Sequence, residues 1–169
     1  MKPVRFGISV LYLSKFQPMK MLEIKTALQI AKPKAEVFEA IIDPEKMKHY
    51  FIAESSGMME EGKSISWKFA EFDEYVPVDV VQLVPNELIS FEWEGAAEKT
   101  LQVEISLTEV SKTSTLVKIT EGKLEANEMG LQWFGGNTEG WANFLACLKA
   151  YLEFGINLRK GGFDFMKKS

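Results

Sequence analysis

The sequence has very few residues of the kinds that form disulfides and transition-metal sites. Its 169 residues include one cysteine, Cys147, and one histidine, His49. A single cysteine excludes an internal disulfide, and these two residues are too few soft ligands for a zinc site of the usual kind. We therefore expect no metal site, no cofactor and a reducing, cytoplasmic compartment.

Long apolar runs, clusters of basic residues and catalytic motifs are missing as well. No stretch is long enough to cross a bilayer, so no membrane partner is expected. The net charge is −4 and the lysine and arginine residues are scattered, so a nucleic-acid partner is not expected either. The sequence has no phosphate-binding glycine loop, catalytic triad or metal motif, and we assign no catalytic residue.

The sequence does have enough apolar residues for one hydrophobic core. Hydrophobic residues make up 46% of the chain and aromatic residues 12%, and the length suits a single domain, which we place at 21–155. The first 20 residues are basic around an apolar run that is too short and too closely flanked by charges for a secretion signal. We interpret 1–20 as a flexible extension, or as sequence upstream of a natural start at Met21, and 156–169 as a C-terminal tail.

Turn signals and apolar spacing predict a strand, two short helices and then a series of strands. A first strand runs from Met21 to Ile30, and Pro33 opens a helix that stops near Asp43, followed by a short turn at 45–50. Six further strands are predicted between turn signals such as the Gly95-Ala96 pair: 55–60, 63–70, 75–84, 87–94, 100–109 and 113–121.

Alternation along these strands predicts an antiparallel sheet with one apolar face and one wet face. The apolar side chains that share the inner face are Ile65, Trp67, Phe69, Ile89, Phe91, Trp93, Leu101, Val103, Ile105 and Leu107. An amphipathic helix over 137–155, with Trp141 and Phe144 on its apolar face, is expected to cover them. The Gly135-Gly136 pair before it is either a break in the chain or a hinge through which a ligand enters.

Three segments resemble a known family, and together they cover about 22–155. They are Pro33-Lys34-Ala35-Glu36-Val37-Phe38-Glu39-Ala40-Ile41 with Asp43-Pro44-Glu45-Lys46-Met47, Val84-Pro85-Asn86-Glu87-Leu88-Ile89-Ser90-Phe91-Glu92-Trp93, and Gly140-Trp141-Ala142-Asn143-Phe144-Leu145 with Leu148-Lys149-Ala150-Tyr151-Leu152. The chain resembles the START-like (SRPBCC) superfamily, and within it the homologues of the ATPase activator of the 90 kDa heat-shock chaperone. The resemblance implies an α+β helix-grip fold, in which a curved antiparallel sheet wraps around a long C-terminal helix.

The resemblance also implies a cavity between helix and sheet, which related proteins use for lipids, steroids, hormones or polyketides. A dry void of roughly 300 Å³ would cost on the order of 7 kcal/mol, so the space is filled by water, by ligand or by the protein's own aromatic side chains. The expected ligand-binding residues are Trp67, Phe69, Phe91, Trp93, Trp141 and Phe144, with Glu121 for a polar head group.

Each chemical candidate has a simpler structural alternative. Glu121 shares the inner face of its strand and could orient a hydroxyl or amine, or act as a base if desolvated; the alternative is a rim carboxylate in water at the strand end. As a ligand-binding residue, Glu121→Gln would change affinity or selectivity and leave the fold intact. His49 is either a general base or a surface residue. Cys147 is either a reactive thiol or a small buried side chain.

Three functions remain open at this stage. The first is a binding protein for a small hydrophobic or amphipathic ligand, and the second is an interaction module that regulates a chaperone ATPase. The third is a cyclase- or hydrolase-like enzyme, for which the sequence shows no acid–base pair. A monomer and a homodimer are both compatible with the sequence.

Overall fold

A seven-stranded antiparallel sheet and one long helix dominate the computed structural model, which describes residues 20–167. Seven strands in the order β1-β7-β6-β5-β4-β3-β2 form the sheet, and every neighbouring pair is antiparallel. This arrangement confirms the predicted α+β helix-grip class. The predicted extension over 1–20 lies, except for Lys20, outside the described residues.

The elements follow one another in the predicted sequence. Their bounds are β1 (Met21–Ile30), α1 (Lys34–Ile42), α2 (Pro44–Met47), β2 (Glu54–Ser55), β3 (Ser64–Lys68), β4 (Tyr75–Val84), β5 (Leu88–Ala96), β6 (Lys99–Ser111), β7 (Ser114–Glu125), α3 (Glu128–Phe154) and a 3-10 turn at Asp164–Met166. Asp43 separates the two short helices because its carboxylate accepts a hydrogen bond from the Glu45 backbone N–H at 2.9 Å, which caps α2.

The strand predicted at 55–60 is wrong in length, because β2 has only two residues. The Ser55 hydroxyl donates to the Gly57 carbonyl at 2.7 Å, which bends the chain immediately after the strand. The Met59 backbone N–H then donates to the Ile42 carbonyl at 3.1 Å, and the Met59 side chain is buried. The chain therefore leaves the sheet to pack Met59 into the core.

The turn predicted at Gly95-Ala96 lies two residues later, and Gly95 belongs to β5. A Cβ atom on Gly95 would come within 2.3 Å of Glu121 Oε1. The glycine is therefore explained by the close approach of a neighbouring side chain, and Glu98 makes the turn with φ 57°.

The long helix α3 begins nine residues before its predicted start, so the break or hinge predicted at Gly135-Gly136 is wrong. Asn127 caps the helix by accepting the Gly130 backbone N–H at 2.9 Å. The first two turns also bury Trp133 against the sheet. Because capping and burial stabilise the helix ahead of the two glycines, it runs through them without interruption.

This continuity predicts that Gly135→Ala stabilises the protein by roughly 0.5–1 kcal/mol, since alanine loses less backbone entropy in a helix. A Cβ at Gly135 meets no atom within 4 Å, so no steric cost offsets the gain. Urea unfolding measures the change. Gly130→Ala is the matched control and should destabilise, because its Cβ would lie 1.9 Å from the Glu125 carbonyl oxygen. A loss of stability in Gly135→Ala would contradict a continuous helix.

Burial follows the predicted faces. The inner sides of β3, β5, β6 and β7 form the core with the apolar face of α3, where Trp141, Phe144, Leu145 and Leu148 are buried. Gly155 ends α3 in the left-handed conformation, with φ 66°, and residues 155–167, here called the C-terminal segment, follow it. Within residues 20–167 no helix is long and apolar enough to cross a membrane.

Candidate functional site

The six aromatic residues predicted to bind a ligand form one continuous cluster. Ring centroids of Trp67 and Phe91 lie 5.3 Å apart, and those of Trp93 and Trp141 lie 5.5 Å apart. Phe51, which the sequence analysis did not select, joins the two sides because its ring contacts Phe69 at 5.2 Å, as well as Phe144, Trp67 and Trp141. Edge-to-face pairs at these distances stabilise the cluster beyond the burial of its area.

The members of this cluster differ in depth. Trp67 and Phe91 are 2% and 1% exposed, and Phe144 is buried beside them. Phe69 and Trp93 are only partly buried and reach the surface of the cluster. The protein's own side chains therefore fill the inner part of the expected cavity, and its outer part is open.

The open part is a cleft of about 190 Å³. Three walls enclose it: the rings of the sheet side, the first half of α3 and the C-terminal segment. The lining residues are Phe51, Phe69, Phe72, Trp93, Gly136, Asn137, Gly140, Trp141, Asn143, Arg159, Phe163 and Met166. For comparison, an engineered apolar cavity of roughly 150 Å³ accepts benzene, so the cleft suits a ring or a short chain.

Glu121 lies behind this cleft and is 1% exposed. Its carboxylate accepts hydrogen bonds from three indole N–H groups, those of Trp93 at 2.9 Å, Trp133 at 3.4 Å and Trp141 at 2.6 Å. The Asn137 amide donates to both carboxylate oxygens at 3.1 and 3.2 Å. The carboxylate is thus buried, with its acceptor positions occupied by four neutral donors from β5 and α3.

Two glycines make room for this arrangement. Gly95 leaves space for the carboxylate itself, as described above, and Gly122 leaves space for one of its donors. Gly122 has φ 103°, and a Cβ there would lie 2.5 Å from the Trp133 ring. Both glycines lie beside residues that bind Glu121, which is a local sign of the site that the sequence analysis did not use.

Asn137 connects the buried carboxylate with the cleft. Its amide nitrogen also donates to the Gly95 carbonyl at 3.1 Å, so the amide N–H groups point toward buried acceptors. Because Asn137 lines the cleft, its carbonyl oxygen is the atom left to accept a hydrogen bond from a bound molecule. Asn137 is not among the predicted site residues, because its partners Gly95 and Glu121 lie 42 and 16 positions away in the sequence.

Arg159 and Glu71 fix the C-terminal wall of the cleft. The Arg159 Nη2 donates to Glu71 Oε2 at 2.6 Å, and Glu71 is buried. The guanidinium lies 4.6 Å from the Phe163 ring centroid and 5.6 Å from that of Phe69, which is within cation–π range. A charged pair and stacked rings therefore hold the C-terminal segment against the sheet.

A family model described as activator of Hsp90 ATPase homolog 1-like protein matches residues 31–153. The chain belongs to this family. No curated protein matches the chain.

Solved structures agree with the fold of this family. The protein SSP2350 from Staphylococcus saprophyticus is 32% identical, with 82% of this chain and 96% of that chain covered and a TM-score of 0.71. An Aha1 dimer from Colwellia psychrerythraea is 21% identical, with 79% and 98% covered and a TM-score of 0.67. The protein MLL2253 from Mesorhizobium loti is 17% identical, with 78% and 97% covered and a TM-score of 0.67.

The region matched to the Hsp90 ATPase activator homologue family contains most of the site, and its last wall lies outside that region. Glu121, Asn137 and the clustered rings are all within 31–153. Arg159, Phe163 and Met166 follow the matched region and complete the cleft. The C-terminal segment is therefore a feature of this chain that the family assignment does not explain.

The two remaining chemical candidates do not line the cleft. His49 is exposed, and its ring stacks on Tyr151 with a centroid distance of 5.4 Å. Cys147 is buried, and burial raises the pKa of its thiol, which disfavours the nucleophilic thiolate at neutral pH. Within residues 20–167 no group of three or more His, Cys, Asp and Glu side chains is placed to hold a metal ion.

Proposed function

We propose that this protein binds a small apolar or amphipathic molecule in the cleft between α3, the sheet and the C-terminal segment. The observation that carries the proposal is the set of aromatic side chains that line the cleft after the inner cluster has filled its own space. Concave, mostly apolar sites with a few placed polar groups are the usual form of small-molecule sites. Phe69, Trp93 and Trp141 supply the walls, and Trp67, Phe91 and Phe144 support them from behind.

The size of the cleft limits both the ligand and its affinity. A ring or short chain that buries on the order of 200 Å² of apolar surface gains about 5 kcal/mol, which corresponds to a dissociation constant near 0.1–1 mM. The polar groups at the cleft therefore decide whether binding is tighter than this. Asn137 supplies an acceptor for a hydroxyl group, and Glu121 acts behind it by holding the amide in place.

Tryptophan fluorescence tests the proposal directly, because Trp93 and Trp141 line the cleft. Titration with short and long fatty acids, flavonoids and sterols should show saturable quenching for the smaller members and none for the sterols, which exceed the available space. Native mass spectrometry of freshly purified protein gives an independent readout, since a co-purified ligand adds its mass. Absence of quenching by every compound would contradict the proposal.

Filling the cleft from the helix side should abolish binding without loss of stability. Gly140 lines the cleft, and a Cβ there meets no atom within 4 Å, so Gly140→Leu extends a side chain into the space that a ligand needs. Affinity should fall at least tenfold while stability stays equal or rises, because leucine is the better helix former. Isothermal titration with the best ligand of the panel measures the change.

Gly135→Leu is the matched control, since it lies on the same helix, has equal space and does not line the cleft. It should bind as the wild type does. Equal affinity in both variants would place the ligand elsewhere.

A second proposed function, regulation of a chaperone ATPase, is supported by the description of the matched family. Addition of the purified protein to a 90 kDa heat-shock chaperone tests it by the rate of ATP hydrolysis. Stimulation that persists in Gly140→Leu would separate this activity from ligand binding.

The dimeric relative from Colwellia psychrerythraea supports the homodimer alternative for this chain, which sedimentation equilibrium tests.

A further inference from the structure

Among the described residues, Arg159 is the one cation that lines the cleft, and not all of its N–H donors have an acceptor. Arg159 lines the cleft among otherwise apolar and amide side chains. Its Nη2 donates to Glu71, while its Nε is buried and has no acceptor within residues 20–167. A buried donor without an acceptor is unfavourable, and a donor on a charged group more so. Because the Nε is closed to solvent, a further acceptor that enters the cleft would bind the Nη groups of the guanidinium.

The structure disfavours a positively charged ligand group. An ammonium in the cleft would approach the Arg159 guanidinium, which is a like charge. The carboxylate that could have attracted it, Glu121, is buried and already accepts hydrogen bonds from four donors. Replacing any of these donors would break an existing hydrogen bond inside the core.

Glu71 occupies only one edge of the guanidinium. A guanidinium has five N–H groups in a planar fork and binds carboxylates through more than one edge. Three rings surround it, those of Phe51, Phe69 and Phe163, at centroid distances of 6.0, 5.6 and 4.6 Å. These rings leave only 20% of the Arg159 side chain exposed, and a charge-assisted hydrogen bond is stronger in such partly buried surroundings.

We propose that the ligand is a small amphipathic anion, a carboxylic acid with an aromatic or short-chain body, whose carboxylate binds Arg159. This inference rests on the proposed function and specifies its ligand class. The body lies against Trp93 and Trp141, and the carboxylate faces the C-terminal segment. Arg159 is a binding residue in this arrangement, and Glu71 positions it.

Three compounds of equal length test the charge preference: 4-phenylbutyrate, 4-phenylbutan-1-ol and 4-phenylbutylamine. Isothermal titration of the full chain at pH 7 should give the acid at least about tenfold tighter binding than the alcohol, with the amine weakest. Arg159→Met should remove the preference, so that the acid and the alcohol bind with equal affinity. Lys160→Met is the matched control, because Lys160 is an exposed neighbouring cation that does not line the cleft, and it should keep the preference.

Glu71→Gln provides a second test that does not remove the guanidinium. The variant keeps the shape of the partner and removes its competing charge, so the ratio of the affinity for 4-phenylbutyrate to that for the alcohol should rise several-fold. Thermal unfolding followed by circular dichroism shows whether Arg159→Met folds. If it does not, Glu71→Gln still tests whether the ligand carboxylate binds Arg159.

The outcomes separate the two proposals. Failure of all three compounds to bind overturns the ligand-binding function and this inference with it. Binding of acid and alcohol with equal affinity, tightest binding of the amine, or a preference that survives Arg159→Met overturns the anionic ligand alone. An unchanged ratio of acid to alcohol affinity in Glu71→Gln also overturns the anionic ligand.

Discussion

Glu121→Gln is expected to destabilise the protein by about 2–4 kcal/mol, although it removes only one charge and almost no volume. The carboxylate accepts hydrogen bonds from Trp93, Trp133, Trp141 and Asn137. A glutamine has one acceptor oxygen, and its amide N–H groups would face indole N–H groups. At least one buried donor then loses its acceptor, which carries the full cost of desolvation.

Urea unfolding measures this loss, with Glu109→Gln as the control at an exposed carboxylate on β6. The control should change the free energy of unfolding by less than about 0.5 kcal/mol. Equal stability of the two variants would show that the hydrogen bonds to Glu121 contribute nothing net. The strand predicted at 113–121 ends at Glu121, where the substitution would leave the fold intact, but β7 continues to Glu125 and the residue is internal.

Trp141→Ala is expected to lower the free energy of unfolding by about 3–5 kcal/mol and to abolish ligand binding. Trp141 is buried, contacts the rings of Phe91, Trp93 and Phe144, and makes the shortest hydrogen bond to Glu121, at 2.6 Å. Its removal opens a cavity in the cluster and deletes one wall of the cleft. The midpoint of urea unfolding and fluorescence titration measure the two effects.

Trp141→Phe separates packing from hydrogen bonding at the same position. It keeps a ring against Phe91 and Phe144 and loses the indole N–H, so we expect an intermediate loss of stability of about 1–2 kcal/mol. A midpoint for Trp141→Ala that barely moves would show that α3 does not cover the sheet as described.

The sheet could be predicted closely because its signal is local. Alternation within one strand predicts Trp67, Phe91 and Trp93 on the inner face, and burial along β3 follows this period of two. The start of α3 could not be predicted in the same way. Two adjacent glycines are a strong local signal for a break in a helix. The cap at Asn127 and the burial of Trp133 nevertheless stabilise the helix ahead of them and determine where it begins.

The polar part of the site depends on contacts between distant residues, which a single sequence does not reveal. Asn137 reaches Glu121 across 16 positions, and Arg159 reaches Glu71 across 88. Strand register alone predicts that Glu121 faces inward, but it does not predict the three indole donors of the carboxylate. The contacts of Arg159 with Glu71, Phe51 and Phe69 likewise join residues that are far apart in the sequence.

The volume left open between helix and sheet depends on how the side chains pack, which the sequence alone does not predict. An empty void of roughly 300 Å³ was excluded on energetic grounds, which left water, ligand or aromatic side chains to fill it. Phe51 fills much of this space, because its ring lies between those of Phe69 and Phe144 and completes the inner cluster. About 190 Å³ then remains as the cleft, bounded on its outer side by Phe163 and Met166.

The indole N–H resonances of the four tryptophans, recorded by ¹H–¹⁵N NMR during titration with 4-phenylbutyrate or with the best ligand of the panel, test ligand binding in the cleft most directly. Trp93 and Trp141 line the cleft, whereas the Trp67 indole is buried behind them and has no acceptor within residues 20–167. We predict saturable shifts of the Trp93 and Trp141 resonances and an unchanged Trp67 resonance. Saturable binding that leaves the Trp93 and Trp141 resonances in place would contradict a ligand site between α3 and the sheet.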